Sequence, residues 1–363
     1  MTRDYSQFLN SPSKNGDELP KLSPLKTLGW QPYFAQQTDV DELSRTPPLR
    51  ITEVHRNGLR AIGDGIDTLV PPTVQATVGD WLLFNSESPG DSIVLERKSL
   101  IKRRAPGSDR QVQLIAANID TAFIVTSCNQ DFNIARLERY IALTFEADAT
   151  PVILLTKSDL CETPQTFVDQ AQSISKMVPV VVLDARGDEP LEKLADWCAP
   201  GKTIAFLGSS GVGKSTLANA LCQTQDIATK EVRLDDAKGR HTTTRRQLHF
   251  APGGCAVLDT PGMRELQLTD AAAGVGELFF DLQDLSAKCK FNDCRHMSEP
   301  GCAVTAALKA GTIEPARVER WKKLVAEEEF NSASLSQRRA KDKAFGKMVR
   351  NITQHKKGYG DID

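Results

Sequence analysis

The spacing of apolar positions changes character three times along this chain. Residues 1–46 are rich in Ser, Pro, Asp and Lys and show little periodicity, which predicts a mostly flexible N-terminal extension. Leu25-Lys26-Thr27-Leu28-Gly29-Trp30 and Tyr33-Phe34 are the parts of it suited to a short docking segment. From 49 to 98 the pattern becomes short alternating runs, at 49–56, 58–62, 65–70, 80–84 and 92–97, separated by turn residues. Five short strands in ~50 residues, with Asn-Gly and Val-Gly-Asp turns, predict a small closed β-barrel of the OB type over 47–104. A basic stretch with Lys98, Lys102, Arg103, Arg104 and Arg110 follows and reads as a solvated connector. Beyond it buried strands at 121–126, 151–155, 178–183 and 204–207 alternate with helices at 134–145, 164–176, 190–198 and 217–221. That alternation predicts a parallel α/β sheet, assigned to 105–273. Segments 246–250 and 255–258 read as adjacent strands around an Ala-Pro-Gly-Gly turn. Segments 274–288 and 303–330 read as amphipathic helices, giving a mostly helical C-terminal domain over 274–363.

Composition narrows the class. A chain of 363 residues, 40% hydrophobic and 25% charged, fits a soluble globular protein of two or three domains. No apolar run approaches the ~18 residues of a membrane span, and the first residues lack a signal-peptide layout. A cytoplasmic monomer with no membrane partner is expected. There the eight cysteines should be thiols or metal ligands; Cys128, Cys161, Cys198, Cys222 and Cys255 are scattered and read as small buried hydrophobes. The net charge of −2 hides a basic tail, in which Arg338, Arg339, Lys341, Lys343, Lys347, Arg350, Lys356 and Lys357 face only Asp342 between Gln337 and Gly358. Such a tail suits a phosphate backbone, with a solvated helix face as the other reading. Arg50, His55, Arg56 and Arg60 would suit a nucleic-acid face on the barrel, against the alternative of a β-domain with no ligand.

The densest chemistry lies at Gly208-Ser209-Ser210-Gly211-Val212-Gly213-Lys214-Ser215-Thr216, between the strand at 204–207 and a helix. Strand, glycine loop and helix form the context of a phosphate-binding P-loop. Consecutive backbone N–H groups turn inward around the phosphates, and the helix N-terminus adds its dipole. Lys214 would reach the β- and γ-phosphates, and the Ser215 hydroxyl would hold Mg²⁺. A glycine-rich turn matching by chance is the alternative.

Thr156-Lys157-Ser158-Asp159 ends another buried strand and resembles the guanine motif of GTPases. A carboxylate at Asp159 can accept from both N1–H and the exocyclic amine of guanine, donors that adenine does not present there. Thr156 stands where Asn is commoner. Asp259-Thr260-Pro261-Gly262 resembles the second switch, in which Asp holds Mg²⁺ through water and the glycine N–H senses the γ-phosphate. Gly239-Arg240-His241-Thr242-Thr243-Thr244 stands where a first switch belongs, and either Thr242 or Thr243 would complete the Mg²⁺ shell. The order is permuted: the guanine motif, then Asp184-Ala185-Arg186 in the Ser-Ala-x place, then P-loop, first switch and second switch. The second switch therefore runs directly into the C-terminal domain. Met263 occupies the place of the water-positioning glutamine, so intrinsic hydrolysis should be slow. His241 is the nearest chemically competent substitute, an exposed or partner-touching histidine being the other reading.

Cys289, Cys294, His296 and Cys302 supply three thiolates and one imidazole in a short span. Closed Cys₃His sets hold structural zinc. Taken together, the OB-like start, the stretch Ile115-Ala116-Ala117-Asn118-Ile119-Asp120, the permuted order, the Gly239–Thr244 motif and the Cys-Cys-His-Cys set resemble the RsgA (YjeQ/YloQ) family of ribosome-associated GTPases, from about Leu49 to the tail. The resemblance implies a role in late maturation of the small (30S) ribosomal subunit through its rRNA. It implies binding in the GTP form, slow hydrolysis stimulated by the subunit, and release of another assembly factor and of the GTPase itself. The long extension and Asp184 depart from the family pattern. Two alternatives stay open: an RNA-binding zinc protein whose nucleotide site is only structural, and a GTPase of another pathway.

Overall fold

The computed structural model describes residues 23–104, 112–224, 227, 246–259 and 270–332. Residues 23–46, expected to be mostly flexible, fold there as three short helices: α1 (Pro24–Thr27), α2 (Pro32–Ala35) and α3 (Val40–Arg45). The Ser23 side chain caps α1 and Asp39 caps α3, satisfying backbone donors that a helix start leaves open. Leu25, Trp30, Phe34 and Leu43 are buried with Trp81, Leu83 and Leu95. This apolar cluster is why the segment docks despite its polar composition; Leu25, Trp30 and Phe34 lie in the stretches suited to docking, and Leu43 adds a fourth large side chain from α3.

The expected β-region supplies β1 (Pro48–His55), β2 (Gly58–Gly63), β3 (Ile66–Val70), β4 (Trp81–Leu83) and β5 (Ile93–Val94). They pair in the order β3-β2-β1-β4-β5, and among the described residues no ladder joins β3 to β5. The start of the basic connector is a strand rather than a loose linker: β6 (Leu100–Arg104) pairs antiparallel with β7 (Val112–Ala117), and Arg110 lies outside the described residues. The proposed nucleic-acid face also changes. Arg50 is 1% exposed, while His55 and Arg60 are both tied to Glu53, at 2.9 and 2.7 Å, and Arg60 also to Asp67. Four cations that looked available in sequence are thus reduced to an exposed Arg56 beside three engaged ones.

The α/β region follows as β8 (Thr121–Ser127), α4 (Ile134–Glu146), β9 (Thr150–Thr156), α5 (Pro164–Gln172), β10 (Val180–Val182), α6 (Glu189–Lys193), β11 (Thr203–Leu207), α7 (Lys214–Cys222), β12 (Arg246–Phe250) and β13 (Ala256–Asp259). The order across the sheet is β10-β9-β8-β11-β13-β12-β1-β2-β3. The first five strands are parallel and β12 is antiparallel to β13. β12 also pairs with β1, so the sheet runs unbroken into the N-terminal β-region. Val152, Ile153, Leu154 and Leu155 of β9 and Ile204 and Ala205 of β11 are fully buried, as strands covered on both faces require.

The C-terminal part holds α8 (Ala272–Leu278), α9 (Phe280–Ser286), α10 (Ala303–Lys309) and α11 (Pro315–Ser332). Val275, Leu278, Val318, Trp321 and Leu324 share one core with Leu137, Ile141 and Ala142 of α4. Polar anchors fix the contact. Arg320 Nε donates to both oxygens of Glu138 at 2.8 and 2.9 Å, and Arg139 pairs with Glu327 at 2.5 Å. Burial pushes the Glu138 carboxyl up and the Arg320 guanidinium opposes that shift. Among the described residues no helix is long and apolar enough to cross a membrane.

Candidate functional site

The sheet has a switch point between β8 and β11. From there β8, β9 and β10 build outward on one side and β11 and β13 on the other. Open α/β sheets bind ligands at the carboxyl ends of their strands at such a point. The P-loop leaves β11 there, Thr156 to Asp159 leave β9, Asp184 to Arg186 follow β10, and Asp259 closes β13. Because these strands are parallel, all four motifs come to one edge of the sheet.

Gly208 turns out of β11 with φ +140°, and a Cβ there would lie 2.2 Å from the Val125 carbonyl oxygen of β8. Glycine is required by both the backbone angle and the approach. Gly213, at φ +102°, leads into α7, whose first residue is Lys214. Lys214 Nζ donates to the Gly208 carbonyl at 2.9 Å and to that of Ser209, so it ties the two ends of the loop. Ser215 and Thr216 follow in the first turn of α7, and Ser209, Ser210, Gly211 and Val212 form the loop itself. Its N–H groups and the N-terminus of α7 suit a polyphosphate.

Thr156 is fully buried, and its hydroxyl donates to the Val212 carbonyl at 2.6 Å. The threonine at the first guanine-motif position therefore braces β9 against the P-loop. Lys157 takes a left-handed backbone (φ +56°) and starts the turn Ser158–Leu160, which leaves Asp159 exposed at the sheet edge. The Asp184 substitution has a local explanation: its Oδ1 accepts from the Arg186 N–H at 3.0 Å, the turn-closing bond that a serine oxygen can also make. Ala185 is buried, 3.6 Å from where a Cβ on Gly213 would stand, so this loop abuts the P-loop too. Thr156→Val keeps the shape but leaves the Val212 carbonyl unpaired. It is expected to cost about 1–3 kcal/mol in urea unfolding and to speed release of fluorescent GDP, whereas Thr156→Ser should behave as wild type.

Gly262 of the second switch and His241, Thr242 and Thr243 of the first lie outside the described residues, as does the basic tail after Ser332.

The second cluster is in the C-terminal part. Ligand atoms of Cys289, Cys294, His296 and Cys302 all lie within 4.8 Å of one another. His296 Nδ1 is 3.5 Å from the sulfurs of both Cys289 and Cys302, which are 3.9 Å apart. A tetrahedral ion with ~2.3 Å bonds to sulfur and ~2.0 Å to nitrogen would place its ligands ~3.8 Å apart (S to S) and ~3.5 Å apart (S to N). The donor set and its spacing fit a metal ion. His296 Nε2 lies 3.1 Å from the Ser286 hydroxyl, an outer partner that fixes which ring nitrogen faces the sulfurs. Ser286 carries no motif of its own; only its place three residues before Cys289 hints at the role. Burial raises the Cys302 thiol, but the Thr305 hydroxyl and N–H and His296 outweigh it and bring it to about 6, favouring the thiolate that binds metal. Trp321 of α11 packs beside the His296 ring at 5.3 Å, so the cluster and the helix docked on α4 are one unit.

Fold and site together define a circularly permuted P-loop GTPase carrying a Cys₃His unit. Comparison with known proteins gives the family. A profile of the RsgA GTPase family matches residues 94–269. A Vibrio parahaemolyticus protein described as small ribosomal subunit biogenesis GTPase RsgA 2 is 45% identical over 338 residues, covering 92% of this chain and 94% of the relative. YjeQ from Thermotoga maritima superposes with a TM-score of 0.56 at 26% identity, over 77% of this chain and 97% of that one. YloQ, described as a circularly permuted GTPase, shares the fold with a TM-score of 0.54 at 23% identity, over 80% and 97%. The chain belongs to the RsgA GTPase family.

Proposed function

We propose that this GTPase serves late maturation of the small ribosomal subunit in the cytoplasm. It binds the subunit and its rRNA as a monomer in the GTP form, hydrolyses GTP slowly until the subunit stimulates it, then leaves together with another assembly factor. The observation that carries the reading is the assembly of the permuted motifs at one sheet edge, on a core welded through Glu138 and Arg320 to the Cys₃His unit. The name of the Vibrio relative supports the same role.

In this reading Gly208 to Thr216 cradle the phosphates and Asp159 selects guanine, with Lys157 against the base. Asp259 would hold Mg²⁺ through water, and the Gly262 N–H would sense the γ-phosphate. Ser215 and one of Thr242 and Thr243 hold Mg²⁺, which supplies charge neutralisation at the phosphates. His241 is the proposed group for the attacking water, since Met263 cannot position it. Zinc is the ion proposed for Cys289, Cys294, His296 and Cys302, in a structural role. The order β3-β2-β1-β4-β5, one pairing short of closure, supports a partly open OB-type barrel over 47–104. The remaining proposed divisions are 105–273 for the GTPase domain and 274–363 for the mostly helical zinc domain with its basic tail. Sedimentation with purified small subunits tests the proposal. The full chain should pellet with them in a non-hydrolysable GTP analogue and stay in the supernatant with GDP; equal partition in both nucleotides would refute it.

A further inference from the structure

The stretch Ile115 to Asp120 and the buried Arg50 take no part in the nucleotide loops, yet they share one hub. Asn118 Nδ2 donates to the Gly79 carbonyl of the N-terminal β-region at 3.0 Å, its Oδ1 accepts from the Lys98 N–H at 2.9 Å, and its own N–H reaches Ser99 at 2.9 Å. Asp120 pairs with Lys98 Nζ at 2.6 Å and accepts the Thr203 N–H at 2.9 Å. Thr203 is the first residue of β11, the strand that becomes the P-loop. Its hydroxyl accepts from Arg50 Nη2 at 2.6 Å, while Arg50 Nη1 donates to the Leu28 carbonyl just beyond α1 at 2.5 Å.

Packing leaves this hub no slack. A Cβ on Gly29 would stand 2.6 Å from Arg50 Nη1 and 3.0 Å from the Gly201 carbonyl, so the turn after α1 rests directly on the turn before β11. Burial pulls the Arg50 guanidinium down to about 10 against the opposing pull of Asp120 and Asp80. A cation this far from water is tolerable only while its partners stay in place. Two of those partners sit on different elements: Leu28 on the α1–α3 segment and Thr203 on the P-loop strand. At the other end of β11, Gly208 is already against the Val125 carbonyl. A displacement of Thr203 therefore has nowhere to be absorbed before it reaches the phosphate loop, where misplacements near 1 Å cost on the order of 10²-fold.

We infer that Thr203, Arg50 and Asp120 are positioning residues for the nucleotide site, and that docking of α1–α3 is thermodynamically linked to nucleotide binding through them. The inference rests on the guanine-nucleotide reading above. Linkage is reciprocal: if the docked segment favours the nucleotide, the nucleotide favours the docked segment. The docked or released segment is the two-state element that such coupling requires.

The test uses the full chain with Thr203→Val, which keeps the shape and removes the hydroxyl acceptor, and Thr203→Ser, which keeps the acceptor. Affinity for fluorescent GDP should fall about tenfold in Thr203→Val and stay near wild type in Thr203→Ser. Hydrogen exchange over residues 24–45 should slow on adding GDP in wild type and Thr203→Ser, and should not respond in Thr203→Val. Should Thr203→Val fail to fold, Asp120→Asn, which removes the Lys98 ion pair, is expected to show the same two losses. Equal GDP affinity in the Val and Ser variants, or exchange over 24–45 indifferent to GDP in wild type, would overturn the inference. Wild type that does not bind GDP at all would instead remove the reading beneath it.

Discussion

Chelating the metal proposed for the Cys₃His cluster, or replacing Cys302 with Ala, is expected to unfold the loop between α9 and α10 and loosen α11 from α4. Structural zinc contributes roughly 10–16 kcal/mol of apparent binding energy at neutral pH, more than the stability of most domains. Besides the four ligands the loop is held by polar contacts: Glu299 accepts from the Arg295, Met297 and Ser298 N–H groups, and Lys322 Nζ donates to the His296 carbonyl at 2.6 Å. Cys289 and Cys302 converge on His296 Nδ1, and Met297, next to it, is 74% exposed. The effect should spread because Cys302 and Val304 lie in the core that contains Trp321, Leu324 and Leu137. Zinc content and helicity are the measurements, in Cys302→Ala and in Cys294→Ala. Stoichiometric zinc together with native helicity in either variant would contradict a structural metal centre. GTP binding should survive better than subunit binding, since the P-loop core of Phe123, Ile204, Phe206 and Leu217 is a separate cluster.

Lys214→Ala is expected to lower GTP hydrolysis by about 10²–10³-fold, the usual loss when a preorganised charge facing the reacting group is removed. Lys214 bridges the Gly208 and Ser209 carbonyls at the start of the loop from its place at the start of α7. The substitution removes both the ammonium that would meet the β- and γ-phosphates and the tie across the loop. Single-turnover hydrolysis separates this from binding. A Lys214→Ala protein that hydrolyses GTP at the wild-type rate would make the nucleotide site a structural prop.

Much of this was legible in the residues because strong local signals coincide. Ile204 to Leu207 could only be a buried strand, and the glycines after it could only be a loop; the structure adds why Gly208 must be glycine. The Cys₃His spacing was enough to bring four ligands together, although Ser286 behind His296 was not visible without the fold. What escaped was long-range pairing. Arg50 read as a surface cation because nothing nearby in sequence reveals Thr203, 153 residues away. In the N-terminal segment the stretches around Leu25, Trp30 and Phe34 were legible as suited to docking, but α3 with Leu43 and the shared partner Trp81 of β4 were not. The start of the basic connector became β6 because β7, which begins at Val112, pairs with it. Thr156 stood out in sequence only as a residue where Asn is commoner; that its hydroxyl also braces β9 against the Val212 carbonyl depends on a neighbour 56 positions later.

On the function proposed above, the small subunit is what triggers GTP hydrolysis. Multiple-turnover GTP hydrolysis by the full chain, with and without purified small ribosomal subunits, tests it most directly, with His241→Ala run alongside. The account predicts slow turnover alone, at least about tenfold faster turnover with subunits, and loss of that gain in His241→Ala if the imidazole handles the attacking water. A wild-type rate that subunits leave unchanged would contradict it.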